Sequence, residues 1–366
     1  MTDGQAPRVA VLGVGLIGGS IGLAARRRLG AEVVGHSRSA ASVERAVALG
    51  ALDRGARSLA AACEGAELVF CAGPVAALAD QARAALEASG PETVVTDVGS
   101  TKGELVEALG SDERFIGGHP LAGAETAGVE NARADLFEGA RWYLTPTDRS
   151  SGILYDRLQR AVAGLGARPQ AIEPAAHDRL MATISHLPHV LANTLAAEAA
   201  AELARDAERM PETGPSFRDM TRVAGSNPAI WADIFASNRE AVADSVEAVA
   251  RRLEEAATLI RSGDREAVAT WHAAAGEDRR LLETDLEAGP LRELRIVVTN
   301  KPGTIAALAL KLGEAGVNIE DMALHPAPDM TSGAVTLWVA GEEQAERAAM
   351  LVRDLGHTVT VLGSAE

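Results

Sequence analysis

Two cysteines in 366 residues, Cys63 and Cys71, are too few for a disulfide framework and are not spaced as a metal site. A reducing compartment, the cytoplasm, fits that usage. No run of about 18 apolar residues occurs, and the Met1-Thr2-Asp3-Gly4-Gln5 start has no basic segment leading into an apolar one. Export and membrane insertion are therefore not expected. A basic surplus is also absent. The formal net charge of -16 argues against a nucleic-acid partner, which would require a cationic footprint. Lysine is scarce: Lys102, Lys301 and Lys311 stand alone, so nearly all positive charge is arginine, which suits bidentate capture of carboxylate or phosphate.

What is present is apolar residues, 47% of the chain, enough for more than one core and for two or three domains. From Arg8 to about Glu173, short apolar runs alternate with helical stretches, as in a mostly parallel sheet wound on both faces. The strands are expected at Arg8–Leu12, Glu32–His36, Leu68–Ala72, Thr93–Asp97, Phe115–Gly118, Ala140–Thr145 and Ala167–Glu173. Ala175 to about Met210 reads as one long helix kinked at Pro188. After the turn-rich Pro211–Ser216 come further helices to about residue 286, with Ser216 and Asp219 as a capping box and Asn227-Pro228 as a helix start. Beyond Ala288-Gly289-Pro290 the order β, α, β, β, α, β over residues 293–362 predicts a ferredoxin-like unit. The domains are thus expected at 1–173 (α/β, Rossmann-type), 174–287 (all-α) and 291–366.

The first strand runs into Gly13-Val14-Gly15-Leu16-Ile17-Gly18 and then a helix. In a dinucleotide site the first glycine makes the tight turn, the second admits the pyrophosphate, and the third lets helix and strand pack closely. An NAD site usually carries an acid at the end of the second strand. Here that position reads Ser37-Arg38-Ser39, whose cation and hydroxyls suit a 2′-phosphate, so NAD or NADP is expected with NADP preferred.

Two further strand ends lead into Val98-Gly99-Ser100-Thr101-Lys102 and His119-Pro120-Leu121-Ala122-Gly123-Ala124-Glu125. Both lie at the edge where α/β folds bind ligands. His119 can polarise or deprotonate a hydroxyl near neutral pH and Ser100 can orient its ring; a capped loop with an incidental histidine fits the same residues. On the long helix Asp178, His186, His189 and Asn193 share a sector of roughly 80° at about 100° per residue, suggesting a lined cavity or a buried polar network. The i, i+3 histidine spacing without a third close ligand argues against zinc, and no metal is expected. Arg218 and Arg222, one turn apart, can each clamp a carboxylate.

With these residues together, the chain resembles the prephenate/arogenate dehydrogenase family of tyrosine biosynthesis. The resemblance rests on residues 12–20, 97–102 and 117–125, on Ser185-His186-Leu187-Pro188-His189, and on Phe217-Arg218-Asp219-Met220-Thr221-Arg222. It implies an NAD(P)-dependent oxidative decarboxylation in which His119 takes the ring-hydroxyl proton and Ser100 orients it near the nicotinamide. It further implies that Arg222 holds a substrate carboxylate, with His189, Glu125 and Asp178 in the pocket or its gating network. The helical domain would form a homodimer in which Trp231 reaches the partner's site. The chain departs from the family at Gly214-Pro215-Ser216, where a glycine run is usual, and at Ala124, where Thr or Ser is common. The C-terminal unit resembles an ACT domain through Asn300-Lys301-Pro302-Gly303 and Gly316-Val317-Asn318-Ile319. That implies tyrosine as an effector bound near Asn300, Gly303, Asn318 and Ile319.

Prephenate and arogenate share the ring chemistry, and the sequence does not choose between them. A β-hydroxyacid dehydrogenase would place a catalytic lysine on the long helix, yet no lysine lies between Lys102 and Lys301. A non-catalytic sensor of dinucleotide and amino acid would have no need of His119, Ser100 and Arg222 together.

Overall fold

A computed structural model describes residues 6–123, 126–206, 213–286, 291–299, 301, 303–327 and 331–362. The chain divides into two compact units, Met1–Glu254 and Glu255–Glu366.

The first unit begins with β1 (Arg8–Leu12), α1 (Leu16–Leu29), β2 (Glu32–His36), α2 (Ala40–Ala48), β3 (Arg54–Gly55), α3 (Leu59–Cys63), β4 (Leu68–Cys71), α4 (Val75–Ala88), β5 (Val94–Asp97) and α5 (Gly103–Leu109). The strands form a parallel sheet in the order β3-β2-β1-β4-β5. The order reverses between β1 and β4, which opens a crevice at their carboxyl ends. Alternate residues of each strand feed two cores. Val9, Val11, Val33, Phe70 and Val94 pack with Ile21 and Trp142 on one face, while Ala10, Leu12, Val34, Val69 and Val95 pack with Leu78 and Phe115 on the other. Burial on both faces is what the continuous apolar runs require. Cys63 and Cys71 lie in the second core, and burial lifts the Cys63 thiol to about 11 and Cys71 well above the usual range, so both are unreactive.

The single wound sheet expected as far as Glu173 is not what forms. β6 (Gly117–Pro120), β7 (Arg141–Thr145) and β8 (Arg168–Ala171), with α6 (Gly152–Gly164) between the last two, make a second sheet in which β6 and β7 are antiparallel. It meets the first sheet through one bridge, Val95 to Phe115. The strand expected at Phe115–Gly118 is accordingly displaced to Gly117–Pro120. A Cβ on Gly118 would lie 2.6 Å from the Asp97 carbonyl oxygen, so only glycine lets β6 sit this close to the end of β5.

The long helix is α7 (Pro174–Met181) and α8 (Leu187–Asp206), joined by a π turn, Ala182–His186. Pro188 explains the turn: it offers no N–H, and its ring would clash with the Ile184 carbonyl in a regular helix. The wider turn shifts the helical phase, so the shared sector expected for Asp178, His186, His189 and Asn193 is lost. Asp178 and His186 are buried, whereas Asn193 is exposed. In α9 (Pro215–Thr221) the cap is Gly214 with Pro215 in the first turn, so Ser216 lies inside the helix and the expected capping box is absent. α10 (Pro228–Ser237) does start at Asn227, whose side chain accepts the Ala229 N–H at 3.0 Å. α11 (Arg239–Ser262) follows.

The second unit contains α12 (Arg265–Leu286), then β9 (Leu291–Thr299), α13 (Thr304–Glu314), β10 (Asp321–Pro326), β11 (Ser332–Ala340), α14 (Glu342–Asp354) and β12 (Thr358–Leu362). The strands are antiparallel in the order β10-β11-β9-β12. Leu294, Ile296 and Val298 face a core with Leu308, Leu312, Val335, Leu337 and Ala348, while Val297 points outward. Among the described residues, no helix is long and apolar enough to cross a membrane. The Ala288-Gly289-Pro290 linker lies outside the described residues.

Candidate active site

The glycine turn sits at the mouth of the β1/β4 crevice. Gly13 takes φ +99°, and a Cβ there would lie 2.5 Å from the Ala72 carbonyl oxygen. A Cβ on Gly18 would run into the Gly13 carbonyl, whereas one on Gly15 would meet nothing within 4 Å. Two glycines thus serve the fold, and the third keeps a space open in front of the α1 N-terminus. That end has no side-chain cap and no acid in its first turn, so the N–H groups of Leu16, Ile17 and Gly18 and the helix dipole suit a pyrophosphate. At the end of β2, Ser39 is committed to capping α2 through the Ser42 N–H (3.2 Å), which leaves half-buried Ser37 and exposed Arg38 at the strand tip.

A buried charge network organises the second strand end. Asp97 accepts the backbone N–H groups of Gly99 (2.7 Å) and Gly118 (3.0 Å) and pairs with the Lys102 ammonium. Asp97 and Lys102 are both fully buried. Burial pulls Lys102 below the usual ammonium range, opposed by Asp97. The loop that carries half-buried Ser100 is further tied by Thr101, whose hydroxyl lies 2.9 Å from that of Ser237 on α10.

His119 lies on β6 beside this loop. Its imidazole meets His177 on α7, Nδ1 to Nε2 at 2.9 Å. Sequence pattern points to Ser100 as the residue that orients this ring and gives no sign of His177. His177 Nδ1 lies 2.8 Å from Asp178 Oδ1, and Asp178 also accepts the Lys102 N–H at 2.8 Å and the Gly103 N–H at 2.7 Å. Burial opposes the Asp178 charge, but these hydrogen bonds from His177, Gly103 and Lys102 outweigh it and hold the carboxyl below its usual range. Burial, with His177, Lys102 and His186 nearby, pushes His119 well below the usual histidine value. The ring is therefore neutral at pH 7 and can accept a proton.

His186, buried at the end of the π turn, is held by Asn238, whose Nδ2 donates to the Asp178 carbonyl at 2.8 Å and lies 3.2 Å from His186 Nδ1. Burial lowers its pKa to about 4. One turn on, His189 stacks on Trp231 with ring centroids 3.4 Å apart, and Trp231 also meets His186 edge-on at 6.0 Å. Within the chain, Trp231 covers His189. Burial and then the neighbouring Arg222 lower the His189 pKa. Arg222 opens a 3₁₀ turn (Arg222–Gly225) after α9 rather than lying within the helix.

The first unit thus gathers His119, His177, Asp178, His186, His189, Trp231 and Arg222, with Ser100 in the adjoining loop. Glu125 and Ala124 lie outside the described residues. In the second unit Gly303 takes φ +89° ahead of α13. Asn318 and Ile319 precede β10 rather than opening it, and the Asn318 amide donates to Glu320 at 2.7 Å. Asn300 and Pro302 lie outside the described residues.

Comparison with known proteins agrees with this assembly. The family model for the prephenate dehydrogenase nucleotide-binding domain matches residues 21–170, and that for the prephenate dehydrogenase dimerization domain matches residues 173–273. The prephenate dehydrogenase of Bacillus subtilis is 29% identical over 353 residues, covering 93% of this chain and 94% of that protein. The solved structure of prephenate dehydrogenase from Aquifex aeolicus with hydroxyphenyl propionate and NAD+ aligns with TM-score 0.69 and 30% identity, covering 77% of this chain and all of that one. Synechocystis arogenate dehydrogenase aligns with TM-score 0.66 and 28% identity, covering 75% of this chain and 99% of that one. A Rossmann-like nucleotide-binding domain followed by a helical dimerization domain agrees with these relatives, and the chain belongs to the prephenate/arogenate dehydrogenase family.

Proposed function

We propose that this protein is an NAD(P)-dependent prephenate dehydrogenase, converting prephenate to 4-hydroxyphenylpyruvate and carbon dioxide. The observation that carries the reading is His119, a neutral imidazole at the edge of the sheet whose one ring nitrogen is taken up by His177, leaving the other for a substrate hydroxyl. When bound, the dinucleotide supplies the hydride acceptor. Gly13, Gly15, Leu16, Ile17 and Gly18 would hold its pyrophosphate. His119 takes the ring-hydroxyl proton, and aromatisation drives loss of the ring carboxylate. Arg222, with His189 near it, holds the side-chain carboxylate away from the one that leaves. Ser100 in the adjoining loop, Asp178 and Glu125 complete the assignment.

Arogenate is the second reading, favoured by the similarity to the Synechocystis enzyme. Ser37 and Arg38 in place of an acid support NADP over NAD. The βαββαβ order of the second unit supports a ferredoxin-like ACT domain, with tyrosine as effector near Asn300, Gly303, Asn318 and Ile319. We place domain limits at 1–173, 174–287 and 291–366, a homodimer through the helical domain, and a cytoplasmic setting in which Cys63 and Cys71 stay reduced.

The test is a spectrophotometric assay of prephenate and arogenate, each with NAD and NADP, with and without tyrosine. Turnover of prephenate is expected, and His119→Asn should lower kcat by roughly 10²–10⁴-fold with little change in cofactor binding. No turnover of either substrate, or a fully active His119→Asn variant, would overturn the assignment.

A further inference from the structure

His177 was singled out by nothing in the sequence, and it is completely buried between the two elements that carry the site. Its ring lies edge-on to Tyr143 of β7 at 5.6 Å and to His119 at 5.1 Å, so its plane is set by packing on two sides. The proton positions around it follow from donors that cannot reverse. Backbone N–H groups only donate, and those of Lys102 and Gly103 occupy both oxygens of Asp178. Asp178 is therefore an acceptor at each oxygen, and His177 Nδ1, 2.8 Å from Oδ1, must carry a hydrogen. A neutral imidazole has one N–H, so in the neutral form of His177 the Nε2 presents its lone pair. To that lone pair His119 Nδ1, at 2.9 Å, is the donor.

We propose that His177 is a positioning residue: anchored by the Asp178 carboxylate, it accepts the Nδ1–H of His119 and so fixes the lone pair of the general base at Nε2. This rests on the assignment of His119 as that base. The proton leaving the substrate hydroxyl lands on His119 Nε2. The resulting imidazolium keeps its Nδ1–H on His177 Nε2, and the Asp178 carboxylate stabilises the positive charge through the intervening ring. Without His177, the His119 tautomer is not fixed, and the fraction protonated at Nε2 cannot act as a base. A buried N–H would also lose its acceptor.

The variants that decide this are His177→Leu, which fills space without accepting a hydrogen bond, and His177→Gln, whose amide oxygen can accept the His119 Nδ1–H. With prephenate as substrate, His177→Leu is expected to lose about 10²-fold in kcat, with KM and cofactor Kd within about threefold, and His177→Gln to recover at least tenfold of that loss. In protein labelled with 15N-histidine, His119 Nε2 should read as unprotonated in the parent and the Gln variant, with the other tautomer emerging in the Leu variant. A Leu variant with parental kcat, equal losses in Leu and Gln, or a protonated Nε2 in the parent would overturn the proposal. His119→Asn runs alongside: if it retains activity, the base assignment itself fails, whereas an inactive His119→Asn beside a fully active His177→Leu removes only the role of His177.

Discussion

Replacing Lys102 with methionine strips the buried Asp97 of its counter-ion. Both groups are fully buried, so no water can solvate the carboxylate left behind, although the Gly99 and Gly118 N–H groups still hydrogen-bond to it. Removing one partner of such a pair costs about 3–5 kcal/mol, well above the value of a surface ion pair. The two surviving N–H bonds place the expectation at the lower end, about 3 kcal/mol at pH 7. A second change, Asp97→Asn on the Lys102→Met background, removes the stranded charge and leaves one backbone N–H without a good acceptor, at about 1–3 kcal/mol. The double variant should therefore be no less stable than the single one. The measurement is urea unfolding followed by Trp142 fluorescence with Trp231, Trp271 and Trp338 changed to phenylalanine, since the two units need not unfold together. A Lys102→Met loss below about 1 kcal/mol, or a double variant clearly less stable than the single one, would show that the pair is not a desolvated ion pair.

Four other outcomes are expected. The pKa values of His186 (about 4) and His119 lie below the unfolded value near 6.5, so the unfolded chain binds their protons first. Stability from these groups is complete above about pH 6.5 and falls as pH drops toward 4, by at most about 1.4 kcal/mol per pH unit for His186. Urea midpoints from pH 7 to 4.5 should show that slope, and His186→Gln should flatten it. Gly15→Ala should fold normally, because its Cβ enters open space, yet weaken dinucleotide binding about tenfold or more, near 1.4 kcal/mol; Gly18→Ala should instead lose thermal stability. Isothermal titration and melting curves separate the two. Arg38→Ala should raise the KM for NADP more than that for NAD, and an equal change would end the 2′-phosphate assignment. Arg222→Ala should raise KM for prephenate with a smaller effect on kcat, as loss of a carboxylate clamp requires.

Local chemistry made several elements legible in advance. β1 and β2 fall where the apolar runs place them, because both faces of a parallel strand are buried and no polar residue interrupts. The glycine turn, the Asn227-Pro228 helix start and the β-α-β-β-α-β order of the last unit are equally local, each a matter of backbone freedom, capping or hydrophobic period. The identity of His119 as a strand-end residue required nothing more. Where contacts join segments distant in the chain, sequence pattern was silent. The division of the sheet at Phe115 depends on which strand Gly117 and Gly118 pair with, and their partners on β7, Thr145 and Leu144, are 28 and 26 residues away. The π turn before Pro188 rotated the long helix and dissolved the polar sector drawn on an ideal one, leaving Asn193 outside. Nothing local marks Lys102 as buried; only the fold brings Asp97 to meet it in the core. His177 sits one position from the helical face that a periodicity argument selects, and only folding brings His119, 58 residues earlier, against it. Sequence alone therefore determined the local elements and the kind of chemistry; tertiary structure decided which groups are desolvated, paired and protonated, because burial and hydrogen-bond partnership arise only between segments that the fold brings together.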